Sequence, residues 1–94
     1  MFDMKACGER MRDLRRKKNM TQEAMAEALN VSAYHYRRIE VGKEGASIDL
    51  LIDVADYFET SLDFLVLGKG LSAEMLKKEL ADIARTLRKM ADTL

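Results

Sequence analysis

The sequence predicts an all-α fold, and three observations carry that reading. The 94 residues contain no proline and no tryptophan. Ala, Leu, Met, Glu, Lys and Arg, all good helix formers, make up most of the chain. Apolar residues recur at spacings of three and four along most of its length. At 48% hydrophobic and 34% charged, the chain is too apolar for a disordered tail and too charged for a membrane protein. Its length allows one small domain with one appended element.

A first helix is expected over residues 3–18, with Met4, Cys7, Met11 and Leu14 as its apolar stripe and Asn19 tolerating a left-handed end. Thr21 is expected to cap a second helix whose inner face is Ala24, Met25, Ala28 and Leu29. After a turn of about three residues, in which Asn30 takes positive φ, Ser32 caps a third helix. This helix runs to about Val41, with Tyr36 and Ile39 inward and Ala33, Tyr34, Arg37 and Arg38 outward. Gly42 to Ala46 reads as a loop. Ser47 caps a fourth helix with Leu50, Leu51, Val54, Ala55 and Phe58 inward and Asp49, Asp53 and Asp56 outward; Ser61 caps a fifth holding Leu62, Leu65 and Val66. Gly68-Lys69-Gly70 is too short to separate independent domains. Beyond it, Leu76, Leu80, Ile83, Leu87, Met90 and Leu94 form a heptad seam that opens at Ala73.

Several classes of function are excluded by composition. The single cysteine, Cys7, forms no internal disulfide, and with His35 the only histidine no metal set is expected; Cys7 reads as a small core residue in a reducing, cytoplasmic setting. The N-terminal Met-Phe-Asp-Met-Lys mixes charge with apolar residues, so no signal-peptide core is expected, and no window has the length of a membrane span. With no nucleophile and base pair and no phosphate loop, neither enzyme activity nor a cofactor is expected. The formal net charge is zero, but residues 1–46 hold ten Lys/Arg against seven Asp/Glu, and residues 47–70 hold one against five. A polyanion surface therefore belongs in the first half.

The unit from Thr21 to Glu40 concentrates the functional signal: a helix, a tight turn, then a helix with small, aromatic and basic residues outward. A helix held at a fixed angle by another fits the major groove of B-DNA, where its outer side chains meet base edges. Leu14-Arg15, Met20-Thr21-Gln22-Glu23-Ala24-Met25-Ala26, Leu29-Asn30-Val31-Ser32, Ile39-Glu40, Gly42-Lys43 and Ser61-Leu62-Asp63-Phe64-Leu65 resemble the phage repressor and Cro family of helix-turn-helix regulators, also called Xre-like. The likeness spans about residues 4–68. It implies a five-helix repressor-like domain at 1–68, with 69–94 as a C-terminal dimerisation helix.

The resemblance further implies that Gln22 meets the DNA backbone at a helix N-terminus. It implies that Ser32, Ala33, Tyr34 and Arg38 touch base edges or nearby phosphates. Arg37 and Lys43 would hold phosphates, and Arg15 with Glu40 would bridge the first helix to the recognition helix. His35 is at most a secondary DNA contact. For the basic cluster Arg15-Arg16-Lys17-Lys18, phosphate contact and plain solvation weigh equally, and the aspartates of the fourth helix read as a solvated face. The sequence departs from the family pattern at Tyr36, where a smaller aliphatic residue is usual, and at Val41 and Ala46, where asparagine and proline are common. Glu44 adds a negative charge near the expected DNA backbone.

The resemblance thus implies a sequence-specific, double-stranded DNA-binding regulator, a repressor reading a palindromic operator. The heptad helix either pairs with its twin through Leu76, Leu80, Ile83, Leu87, Met90 and Leu94 or folds back on the body; the homodimer is favoured. A protein antagonist or a toxin is a further candidate partner. The rival reading is a protein-interaction module, an antitoxin or anti-repressor that captures another protein through its C-terminal helix.

Overall fold

The structure, a computed structural model, describes residues 1–70 and 73–93, the side chains of 73–75 excepted. Six helices and no strand occur among the described residues: α1 (Met4–Lys17), α2 (Gln22–Ala28), α3 (Ala33–Glu40), α4 (Ile48–Tyr57), α5 (Leu62–Leu67) and α6 (Ala73–Asp92). The first five start in the same way. Side-chain oxygens of Asp3, Thr21, Ser32, Ser47 and Ser61 accept from the amide three residues on, at 3.0 or 3.1 Å. Each such bond satisfies an amide that the helix itself leaves without a partner.

Between helices the chain reverses through left-handed residues. Asn19 and Asn30, at φ 55° and 57°, take the conformation expected of them. Glu59, at φ 52°, does so without the short side chain that usually favours it. Gly42, at φ 80°, has a second constraint, because a Cβ there would lie 2.7 Å from the Lys5 Cα.

The core is built where α1 packs against α3 and α5, α2 against α3, and α4 against α5. Met11, Met25, Tyr36, Ile39, Val54 and Leu65 are essentially inaccessible, and all five inward positions read for the fourth helix are buried. Tyr36 thus lies inside, larger than its counterpart in the family pattern. Three of the expected inner faces shift. In α2 the buried residues are Met25 and Ala26, followed by Leu29, while Ala24 and Ala28 are exposed. The ladder Gln22, Met25, Ala26, Leu29 has helical spacing as good as that of the expected set, and alanine is indifferent to burial, so the bulk of Met25 decides. In α1 the buried face is Cys7, Gly8, Met11, Leu14 and Arg15; Met4 lies off it, against Gly45 of the α3–α4 loop. In α5, Leu62 is exposed and Leu65 carries the burial.

Gly8 fixes how closely α1 and α3 approach. A Cβ on it would stand 2.4 Å from the Ile39 carbonyl oxygen and 2.5 Å from that of Glu40, contacts no side-chain rotation relieves.

α6 differs from the rest. Every side chain described on it is exposed, including Leu76 at 48%, Leu80 at 57%, Ile83 at 51%, Leu87 at 60% and Met90 at 60%. The fold-back arrangement is therefore not the one adopted. Leu94 lies outside the described residues.

Gly8→Ala is expected to destabilise the fold by about 3 kcal/mol, as overpacking against backbone does. Urea denaturation followed by circular dichroism checks it, and an unchanged midpoint would refute the close approach.

Candidate nucleic-acid interface

The site starts from a buried ion pair. Arg15 of α1 donates from Nε to Glu40 Oε2 at 3.0 Å and from Nη2 to Oε1 at 2.7 Å, a two-pronged contact that matches the planes of both groups. Its third nitrogen donates to the Met20 carbonyl at 2.9 Å. One guanidinium thus ties α1 to the α1–α2 turn and to the last residue of α3. Gln22 Nε2 adds a longer bond to Glu40 Oε1, 3.3 Å. Burial alone would raise the Glu40 carboxyl, but the hydrogen bond and charge of Arg15 outweigh it and hold it below the usual carboxylate range. The Tyr36 phenol, buried beside this pair, is pushed well above its ordinary value, first by desolvation and then by the Glu40 carboxylate.

That anchor sets which side chains α3 turns outward. Tyr34 is 66% exposed, Arg37 and Lys43 are exposed, and His35 and Arg38 are half-buried. The Arg38 guanidinium lies over the Tyr34 ring, 5.7 Å from its centroid. Its Nε donates to Glu44 Oε1 at 2.6 Å, and the other carboxylate oxygen, Oε2, lies 2.6 Å from His35 Nδ1. The loop is bent back to allow this, since the amides of Lys43 and Glu44 both donate to the Arg38 carbonyl, at 2.9 and 3.3 Å. The bond from Arg38 holds the Glu44 carboxyl below its usual range.

The candidate residues fall into separate groups. Tyr34, His35 and Arg38 gather with Glu44 on one outer patch, beside the loop that carries Lys43. Arg37 leans the other way, 3.3 Å from Glu23 of α2. Gln22 faces Glu40, Ser32 accepts the capping bond from the His35 amide, and Ala33 packs partly against the core.

The basic run at the end of α1 divides as well. Arg15 is in the ion pair, and Lys18 lies over the rings of Tyr57 and Phe58, at 5.5 and 5.6 Å. Arg16 joins Lys5, Glu9 and Arg12 on the wall of an open cleft of ≈ 580 Å³ next to Gln22. This mainly basic stripe was absent from the sequence reading, although residues 5, 9, 12 and 16 have helical spacing. Glu44 is expected only as a negative charge near the DNA backbone, and its pairing with Arg38 and His35 left no local signal. Among the described residues no group of three or more His, Cys, Asp or Glu could hold a metal ion, and no helix is long and apolar enough to cross a membrane.

The profile of the family described as helix-turn-helix matches residues 11–65, more than half of the chain. The chain belongs to the phage repressor and Cro-like helix-turn-helix family. It is 30% identical to the SPbeta prophage-derived uncharacterized HTH-type transcriptional regulator YonR of Bacillus subtilis, over 85% of this chain and 72% of that protein. It is also 30% identical to the uncharacterized HTH-type transcriptional regulator YqaE of the same organism, over 66% of this chain. The match spans only about half of YqaE, 53%. Among solved structures it resembles the P22 c2 repressor in complex with a synthetic operator, with TM-score 0.64, 25% identity, and coverage of 69% of this chain and 98% of that one.

Arg15→Ala, which leaves the Glu40 carboxylate buried without its partner, is expected to cost about 3–5 kcal/mol in urea denaturation. Because the folded pKa of Glu40 is depressed, its contribution is full above the unfolded value of roughly 4.3 and is lost as pH falls through the folded value. Denaturation between pH 7 and pH 3 should show that acid limb, and Glu40→Gln should flatten it.

Proposed function

We propose that this helix-turn-helix regulator is a sequence-specific, double-stranded DNA-binding repressor that acts as a homodimer on a palindromic operator, without enzymatic activity. The observation that carries the reading is the outward face of α3, with Tyr34, His35, Arg37 and Arg38 accessible while Tyr36, Ile39 and Glu40 lock the opposite face into the body. Such a helix enters the major groove and meets base edges. Arg38 reads a guanine through O6 and N7, Tyr34 or Ala33 packs on a thymine methyl, and Ser32 and His35 contribute nearby contacts. Gln22, Arg37 and Lys43 hold phosphates, which set register without reading sequence. The likeness to a repressor solved on its operator supports this assignment.

Residues 1–68 form the DNA-binding unit and residues 69–94 the dimerisation helix. The exposed stripe Leu76, Leu80, Ile83, Leu87 and Met90 supports pairing with a second copy, which would bring two copies of α3 to half-sites about one helical turn apart.

Selection of bound duplexes from a random pool at physiological salt should enrich an imperfect palindrome. If nothing is enriched over competitor DNA, the reading fails, and the α6 stripe becomes the capture surface of a protein-interaction module of the antitoxin or anti-repressor kind.

Two substitutions sharpen the test. Leu80→Lys with Leu87→Lys should convert dimer to monomer in light scattering and abolish operator binding together. Arg38→Ala should cost about 1–3 kcal/mol on the operator and relax preference at one base position per half-site, as fluorescence anisotropy with single-base operator variants would register.

A further inference from the structure

Glu44 is the feature of the interface that the proposed function leaves unexplained. A carboxylate beside a surface meant for DNA repels phosphate, and it lies on two of the groups proposed to contact DNA. Its placement is over-determined. One oxygen meets Arg38 Nε and the other His35 Nδ1, each at 2.6 Å, while the backbone amide of Glu44 itself donates to the Arg38 carbonyl at 3.3 Å. Residues 35 and 38 are three apart on α3, so both lie on one face and grip the same carboxylate.

The consequence falls on Arg38. An arginine on a two-turn helix has many rotamers of similar energy, and an unguided guanidinium reaches phosphates and bases alike. Here it has a floor, the Tyr34 ring, and a side stop, the Glu44 carboxylate on Nε. Nε is thereby occupied, and the Nη groups remain for an external acceptor. A planar donor held in one orientation suits the paired acceptors of a guanine edge better than the dispersed oxygens of a phosphate.

We infer that Glu44 is a specificity-determining positioning residue: it holds Arg38, stacked on Tyr34, in a base-reading orientation and lowers the affinity of the same surface for DNA of any sequence. The inference rests on the proposed function and adds to it a division of labour within the interface. It predicts two effects of opposite sign. Loss of the carboxylate strengthens binding to unrelated DNA, because a repulsive charge is gone, and weakens discrimination at the base that Arg38 reads.

The test uses the full chain as wild type, Glu44→Gln, Glu44→Asp, Arg38→Ala and the Arg38→Ala/Glu44→Gln double variant. Affinities are measured for the selected operator, for its single-base variants and for an unrelated duplex, at two salt concentrations, with thermal melts to verify folding. Glu44→Gln is expected to bind the unrelated duplex several-fold more tightly and to lose about tenfold of its discrimination at one base position per half-site. Glu44→Asp should keep part of that discrimination, and the double variant should discriminate no worse than Arg38→Ala. Undiminished discrimination in a folded Glu44→Gln would overturn the inference, leaving Glu44 a plain repulsive charge. Equal loss on every duplex would overturn it as well, since a structural role has no base preference. A wild type that selects no sequence would overturn the proposed function first and the inference with it.

Discussion

The contact between Arg15 and Glu40 is the constraint on which the rest of the interface depends. Arg15 is 9% exposed and Glu40 4%, so both charges have left water, and the cost of doing so offsets much of their attraction. What remains is geometry. A two-pronged contact tolerates little rotation, and it joins the last turn of α1 to the C-terminal end of α3, with Gln22 of α2 reaching the same carboxylate. Gly8 sets the spacing at the same end of α3, where the carbonyls of Ile39 and Glu40 come close to its Cα. Spacing from a missing side chain and orientation from an ion pair fix the roll of α3. That roll determines whether Tyr34 and Arg38 face outward at all.

Much of this was legible in the sequence because the signals were local. Thr21, Ser32, Ser47 and Ser61 cap the helices they were expected to cap, since a hydroxyl three residues before an amide needs no tertiary partner. Asn19 and Asn30 turn the chain for an equally local reason. Alanine, by contrast, carries no directional information, so the α2 face was misread by one position until Met25 and Ala26 were seen inside. A glycine in mid-helix reads as a weakness, and Gly8 acquires its meaning only when α3 lies across it. Glu59 in the left-handed region has no local cause. Glu44 is the clearest case of non-local meaning: the sequence shows only a negative charge near the expected DNA backbone, and its grip on Arg38 and His35 follows only once two amides fold the loop back onto the end of α3.

The five-helix body closes its core without help from α6. Its buried cluster draws on α1 to α5, leaving Leu76, Leu80, Ile83, Leu87 and Met90 of the 20-residue α6 in water. Such a stripe is tolerable on an isolated helix only if another surface covers it, because three heptads contribute too little by propensity alone. The proposed pairing resolves that imbalance within one chain type. The separation also means that the proposed DNA contacts and the proposed dimer seam share no side chain.

The shortness of α3 bears on why pairing and positioning both matter. An eight-residue helix presents few outward side chains, and a well-placed two-pronged contact to a base discriminates by roughly 1–3 kcal/mol. A specific site must stand out against a genome of competing sequence, which takes roughly 4–10 kcal/mol. One half-site read by one arginine falls short of that range, and two half-sites read by a rigid pair reach into it. Loosening the arginine would weaken the reading twice over in a dimer, once in each half-site. If Glu44 acts as inferred, an acidic residue that weakens every DNA contact slightly but fixes the one that carries sequence information would therefore be a net gain in selectivity for a protein of this size.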